Sequence, residues 1–254
     1  MESERCYYLS GTNGSGSTIG QQRLFDCYRS TDLLEWVGPL PAFRPTGDFW
    51  ATQDYWAPEV HAYRGRYYMF ASFKAPERCR ATQVLVSDAP AGPFQPLTDA
   101  PLTPRDWECL DGTLFVDAAG DPWLVFCHEW LQVHDGEMCA VRLSHDLTEA
   151  IGEPILLFHA SCAPWAHRFN EHDYVTDGPF LFPGAGNELC MLWSSLGVDG
   201  YAMGLARSQS GDIVGPWAHD AVPLFAQDGG HGMMFRRFDG QRMLWLHWIR
   251  GRDW

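Results

Sequence analysis

Apolar residues along this chain gather in short runs separated by clusters of Gly, Pro, Asp and Asn. Residues 110–130 (LDGTLFVDAAGDPWLVFCHEW) show the pattern most clearly. An apolar run at 113–116 leads to a polar turn at 117–122 and a second run at 123–127. Runs this short, rich in Val, Leu and aromatics and joined by an Asp/Gly-rich turn, predict a β-hairpin rather than helices. Antiparallel pairing brings both ends far from the turn to one edge of the sheet. Asp111, just before the first run, and Glu129, just after the second, are therefore expected on one rim.

The hairpin recurs. Residues 57–74 (APEVHAYRGRYYMFASFK) carry Glu59 at the entrance, a Gly65 turn and an aromatic second strand. Residues 177–197 (DGPFLFPGAGNELCMLWSSLG) place Asp177 there, and residues 230–248 (GHGMMFRRFDGQRMLWLHW) place His231 there. Each of the first three hairpins is followed by a third strand of similar flavour, at 84–94, 140–147 and 205–217. Near the start, 7–14 and 25–36 match only the second and third strands. Repetition at a steady period with several strands per unit predicts a β-propeller of radially arranged blades. The units read as 1–56, 57–105, 106–160, 161–228 and 229–254. The expected fold is thus all-β: a five-bladed β-propeller in one domain, 1–254, short of its first inner strand and its last outer strands. Two longer polar stretches, 38–55 and 161–175, read as loops, the former overhanging the pore as a binding wall. Trp50, Trp56, Trp130 and Trp165 fall at strand ends or in loops, where flat aromatic faces suit sugar rings.

No window holds an i, i+3, i+4 apolar stripe, and the 25 Gly and 17 Pro punctuate the chain at turn spacing. No apolar run reaches the ~18 residues of a spanning helix, so no membrane partner is expected. A net charge of −14 argues against nucleic acid, whose phosphates would be repelled. The eight cysteines show no C-x-x-C and mostly lie inside apolar runs, which suits buried, reduced thiols. With no apolar leader in the polar first twenty residues, a cytoplasmic location is expected.

The motifs WAPEV (56–60), GRYYMF (65–70), DGTLFVD (111–117), TDGPF (176–180) and GGHGMMF (229–235) together resemble glycoside hydrolase family 43. The resemblance runs through nearly the whole chain. It implies a five-bladed propeller that removes arabinofuranosyl or xylosyl units from plant glycans by an inverting mechanism, with no cofactor required. It also implies three central carboxylates: a general base near the N-terminus, an Asp that tunes the acid, and the general acid. Asp111 matches the tuning Asp. Asp177 stands where the family motif has a Glu before Gly-Pro. Being one methylene shorter, it leaves Glu129 as an alternative acid. His231 matches a family histidine that contacts a cation or tunes the acid, so a structural calcium ion in the central channel is compatible with it. Trp56, Glu59, His128, Trp130 and His231 are the expected contacts to an oligo- or polysaccharide substrate.

Inverting hydrolysis fits this division of labour. A protonated acid meets the leaving oxygen while an ionised base activates water on the opposite face. A third carboxylate nearby raises the acid's pKa. One departure stands out: the family's base lies upstream of the segment matching residues 7–14, and the six residues before Tyr7 contain no Asp. The chain as written is therefore expected to lack the base and its strand. That would make it either an impaired hydrolase or a carbohydrate-binding propeller.

Overall fold

The computed structural model of the protein describes residues 5–13 and 24–248. The first four residues of the segment expected to lack a base, and the end of the chain beyond Trp248, lie outside that range. Met1–Asp111 and Gly112–Trp254 are two compact units.

In the first unit, β1 (Tyr7–Asn13), β2 (Leu24–Ser30) and β3 (Val37–Phe43) form an antiparallel sheet in that order. Next come β4 (Gln53–Tyr63), β5 (Arg66–Ala75), β6 (Arg78–Ser87) and the short β7 (Gln95–Pro96), again in chain order. The β4–β5 turn is tight. Tyr63 pairs with Arg66, and Arg64 and Gly65 both take left-handed angles (φ 46° and 82°), which twists the turn to match the strands. Phe25, Phe43, Tyr55 and Phe73 pack as tilted and edge-on rings with centroids as close as 4.9 Å.

Those rings change the reading of residues 38–55. The stretch expected to be one long loop is half strand, because β3 runs to Phe43 and β4 starts at Gln53. Its Pro39 and Pro41 are tolerated because β3 is an edge strand that pairs only with β2. Its aromatics fill the core instead of walling a pore. Phe43 and Tyr55 are buried, and Phe49 and Trp50 pack against them.

The second unit takes β8 (Cys109–Val116), which begins at the end of the first, into a sheet with β9 (Pro122–His128), β10 (Glu137–Leu143) and β11 (Ala150–His159). It continues with β12 (Asp177–Pro183), β13 (Leu189–Gly197), β14 (Gly200–Ser208) and β15 (Trp217–His219). The pair β16 (Gly229–Arg236) and β17 (Arg242–Trp248) closes it. Helix is confined, among the described residues, to α1 (Trp130–Val133) and a 3-10 turn at Ala160–Cys162. Middle strands read as unbroken apolar runs because both faces are covered: every residue from Leu124 to His128 is buried.

Chain order thus yields five antiparallel up-and-down sheets of three, four, four, four and two described strands, an all-β fold of the β-propeller class. The expected units match these sheets except that β4 begins at Gln53, inside the first of them, and the short counts fall on the first and last. Trp165, expected on a polar loop, is instead core. It is 4% exposed against Trp193, and any side chain at Gly204 would strike its indole.

Candidate active site

The inner strands share a defect, and most of the candidate residues sit on it or beside it. In β12, Asp177 pairs with Ser194 and Phe180 with Leu192, so three steps on one strand match two on its partner. In β16, Gly230 pairs with His247 and Met233 with Trp245. In β4, Trp56 pairs with Ser72 and Glu59 with Phe70. Each is a β-bulge with one extra residue, a device that re-aims side chains near sites. Inside each bulge one residue turns left-handed: Ala57 (φ 47°), Gly178 (φ 52°) and His231 (φ 48°). Asp111 does the same in β8 (φ 54°). Left-handed angles strain any residue but Gly, with Asp and His among the more tolerant types.

The bulges correct the expected equivalences. Asp111 lies inside β8, as its third residue, rather than before it. Asp111, Gly178 and His231 share the left-handed place, whereas Asp177 shares the preceding place with Trp56 and Gly230. Glu59 is not an entrance residue at all, since its counterparts are Phe180 and Met233. It instead lies 2.8 Å from His61 Nε2, two residues along β4.

In the first unit the structure joins Trp56 to Asp111. Ser72, opposite Trp56, accepts the Asp111 backbone N–H at 2.9 Å, and the Asp111 residue is 9% exposed. Arg80 covers one face of Trp56, its guanidinium 4.2 Å from the ring centre, and pairs with Asp54 at 2.8 Å. Only the other face or the edge of Trp56 is left for a sugar. Glu108 accepts both Lys74 and the Arg80 N–H. Burial pushes the Glu108 carboxyl up, but these bonds and the two positive charges outweigh it and leave it below the usual range. Trp50, expected as a sugar face, donates its indole N–H to Gln83 and stacks with Arg78.

In the second unit Asp177 and His231 come together. Gly178 lies so close to His231 that an added methyl would sit 2.6 Å from Cγ of the imidazole. The Tyr201 hydroxyl donates to Asp177 Oδ2 at 3.1 Å. The Tyr201 ring packs against Gly230, where a methyl would meet Cε1 at 2.6 Å, and its backbone N–H is held by Asp228. Ser194 accepts the His231 N–H at 2.8 Å. His247, paired with Gly230, is held below the ordinary histidine range by burial and by the neighbouring His231. Tyr201, Ser194, Ser72, Arg80 and His247 were not anticipated. Tyr201 and the serines sit in ordinary strand sequence, with nothing to mark them before the register is known.

The third group is consecutive. His128 ends β9, Glu129 follows it and Trp130 opens α1. Glu129 is 4% exposed. The His128 ring nitrogens are taken by Glu137 and Gln132 at 2.8 and 2.9 Å. The sugar contact expected of His128 is thus replaced by a structural bond on each side of its ring. Trp130 packs against Phe169 with ring centres 5.2 Å apart, and Phe169 is half exposed. The loop bearing Phe169 is tied down. Phe169 N–H bonds to the Asp173 carbonyl, Asn170 to Asp173 at both backbone and side chain, and Asp173 to His134 at 2.7 Å. The Asn170 bond, then the His134 bond and charge, hold the Asp173 carboxyl below its usual range.

No group of three or more His, Cys, Asp or Glu side chains is gathered for a metal among the described residues. Calcium takes six to eight oxygen ligands, and the side chains around His231 offer two imidazoles, His231 and His247, and two carboxylates, Asp177 and Asp228. They do not fit a protein-built calcium cage.

Successive all-β sheets bearing acids at bulged inner strands mark the chain as a propeller-type glycoside hydrolase. The model of glycosyl hydrolases family 43 matches residues 1–253, and the chain belongs to that family. An endo-arabinase from Bacteroides thetaiotaomicron VPI-5482 is 41% identical over 97% of this chain and 86% of its own, with a TM-score of 0.90. An endo-1,4-beta-xylanase from the same organism is 26% identical over 94% and 79%, TM-score 0.76. A thermostable family-43 glycoside hydrolase shares the fold at 22% identity over 100% and 88%, TM-score 0.80. No curated protein matches.

Proposed function

We propose that this glycoside hydrolase cleaves α-L-arabinofuranosyl linkages inside arabinan-type chains, by inversion. The similarity to the endo-arabinase, at 41% identity over nearly the whole chain, carries the choice of arabinose over xylose and of internal over terminal cleavage. Asp177 is the general acid, donating its proton to the leaving oxygen as the glycosidic bond breaks. Water attacks the anomeric carbon from the opposite face and gives its proton up to solvent. Asp111 tunes that acid, and Glu129 is the alternative donor. Trp56, on the side away from Arg80, and Trp130 with Phe169 stack on pentose rings, whose C–H groups pack on aromatic faces. His231 tunes Asp177 from its place against Gly178. A reducing, cytoplasmic setting belongs to this reading, supported by eight cysteines that form no disulfide among the described residues.

Linear arabinan, arabino-oligosaccharides, xylan and nitrophenyl α-L-arabinofuranoside test it together. Early release of mixed oligosaccharides from arabinan is expected. Arabinose as the sole early product, or faster cleavage of xylan, overturns the assignment. Calorimetric binding of arabino-oligosaccharides without any product would make the chain a carbohydrate-binding propeller instead. The acid is assigned by comparing Asp177→Asn with Glu129→Gln. Proton donation is worth about 10² to 10⁴ in rate and matters least for an acidic leaving group. The true acid's variant therefore loses that factor on arabinan but little on the nitrophenyl glycoside. If Glu129→Gln shows that split and Asp177→Asn does not, the acid is Glu129.

A further inference from the structure

The same contact occurs twice, in different units. Ser72 stands opposite Trp56 at the β4 bulge, and its Oγ accepts the N–H of Asp111, 39 residues on. Ser194 stands opposite Asp177 at the β12 bulge, and its Oγ accepts the N–H of His231, 37 residues on. Both serines are fully buried. In each case the acceptor faces the first bulge position of its own sheet, and the donor is the left-handed residue of the next inner strand.

A left-handed residue turns its N–H out of the regular ladder, so the group needs an acceptor from elsewhere when buried. A serine is short enough to supply one without pushing the strands apart. The fit is close: a methyl on Gly230, the residue before His231, would lie 2.6 Å from Ser194 Oγ. The hydroxyl therefore fixes where the strained residue sits relative to the bulge of the preceding sheet.

We propose that Ser72 and Ser194 are positioning residues, each tying one sheet's bulge to the candidate-site residue of the next: Trp56 to Asp111, and Asp177 to His231. The consequence for turnover rests on the hydrolase reading above. On that reading Asp111 and His231 tune the acid rather than bind substrate, so a loosened latch lowers kcat while substrate binding is little changed.

Ser72→Ala, Ser194→Ala and their Cys counterparts are compared with Ser195→Ala, at temperatures well below each Tm. Ser195 is an equally buried neighbour whose hydroxyl has no partner among the described residues. Each latch alanine is expected to lower kcat on arabinan about tenfold, with KM within about twofold. That corresponds to the loss of a hydrogen bond made to a strained site residue. Sulfur is a weak acceptor, so Cys should recover part of the loss and keeps the test open where Ala does not fold. Ser195→Ala should match the parent. Amide hydrogen exchange at Asp111 and His231 is read in parallel and should quicken about tenfold or more in the matching alanine variant. That measurement needs no turnover. Should the parent hydrolyse neither arabinan nor xylan, the hydrolase reading fails while the latch still stands or falls on exchange. Unchanged exchange, or altered Tm with kcat equal to the parent's, overturns the proposal.

Discussion

Tyr201→Phe isolates one oxygen. The phenol donates to Asp177 Oδ2 at 3.1 Å, Tyr201 is 6% exposed, and its ring is pressed against Gly230. Phenylalanine fits the same space, so the ring stays and only the donor is lost. A hydrogen bond to a charged group is worth about 1.5–3 kcal/mol. The length and the partial exposure of Asp177 put this one at the low end, about 1.5 kcal/mol. The sign follows from what the donor stabilises. A hydroxyl hydrogen favours the ionised carboxylate, so without it Asp177 keeps its proton to higher pH. A differential of that size corresponds to about one pH unit. The alkaline limb of kcat/KM against pH, measured on arabino-oligosaccharides, should therefore move up by about that much. Maximal kcat should fall several-fold, because the acid loses its fixed orientation. Superimposable limbs in a folded variant would refute the link between Tyr201 and Asp177, whatever the change in Tm.

Two further outcomes are expected. His219 packs edge-on against Phe158 and Trp193, neither ring nitrogen has a partner among the described residues, and burial lowers its pKa to about 4. The folded protein keeps it neutral while the unfolded chain protonates from about 6.5 downward, so stability is lost as pH falls from about 6.5 to 4. The full difference is about 3 kcal/mol, and partial exposure reduces it to about 2. His219→Phe should flatten urea-unfolding free energies across that window, and an unchanged slope would show that other groups set it. Phe169→Ala removes half of the Trp130–Phe169 pair, a contact of the kind worth about 0.5–1.5 kcal/mol. KM for arabinan should rise about three- to tenfold with none for the nitrophenyl glycoside, and equal effects on both would remove Phe169 from the substrate path.

The sheets were legible because turn chemistry and strand period agree in four successive hairpins. Arg64-Gly65 and the Gly-rich turns stop each run, and the apolar stretches between them are the length of strands. Residues 38–55 were misread because Pro argues against a strand unless the strand is known to be an edge. Their Phe and Tyr residues look like binding faces until the neighbouring Phe25 and Phe73 are seen packed on them. Trp165 failed for the same reason. A tryptophan beside charged residues reads as exposed, and only the gap left by the distant Gly204 shows that it is buried.

Site residues were legible as residue types and illegible in phase. Asp111, Asp177 and His231 look equivalent when aligned by eye, since each precedes a glycine. A bulge adds one residue without any sequence mark, and side chains on a strand alternate, so a shift of one place decides where a carboxylate points. The angles separate them: Asp111 and His231 are themselves left-handed, while Asp177 stands one place earlier and leaves that conformation to Gly178. The same shift explains why the partners went unseen. Ser72 and Ser194 are ordinary strand serines until the register sets them against Trp56 and Asp177. Tyr201 lies a strand further on and reaches Asp177 only because Gly230 lets its ring through. A carboxylate that is one methylene shorter than the family's glutamate and out of step with Asp111 needs a fixed donor to hold its place, and Tyr201 supplies one from a buried ring.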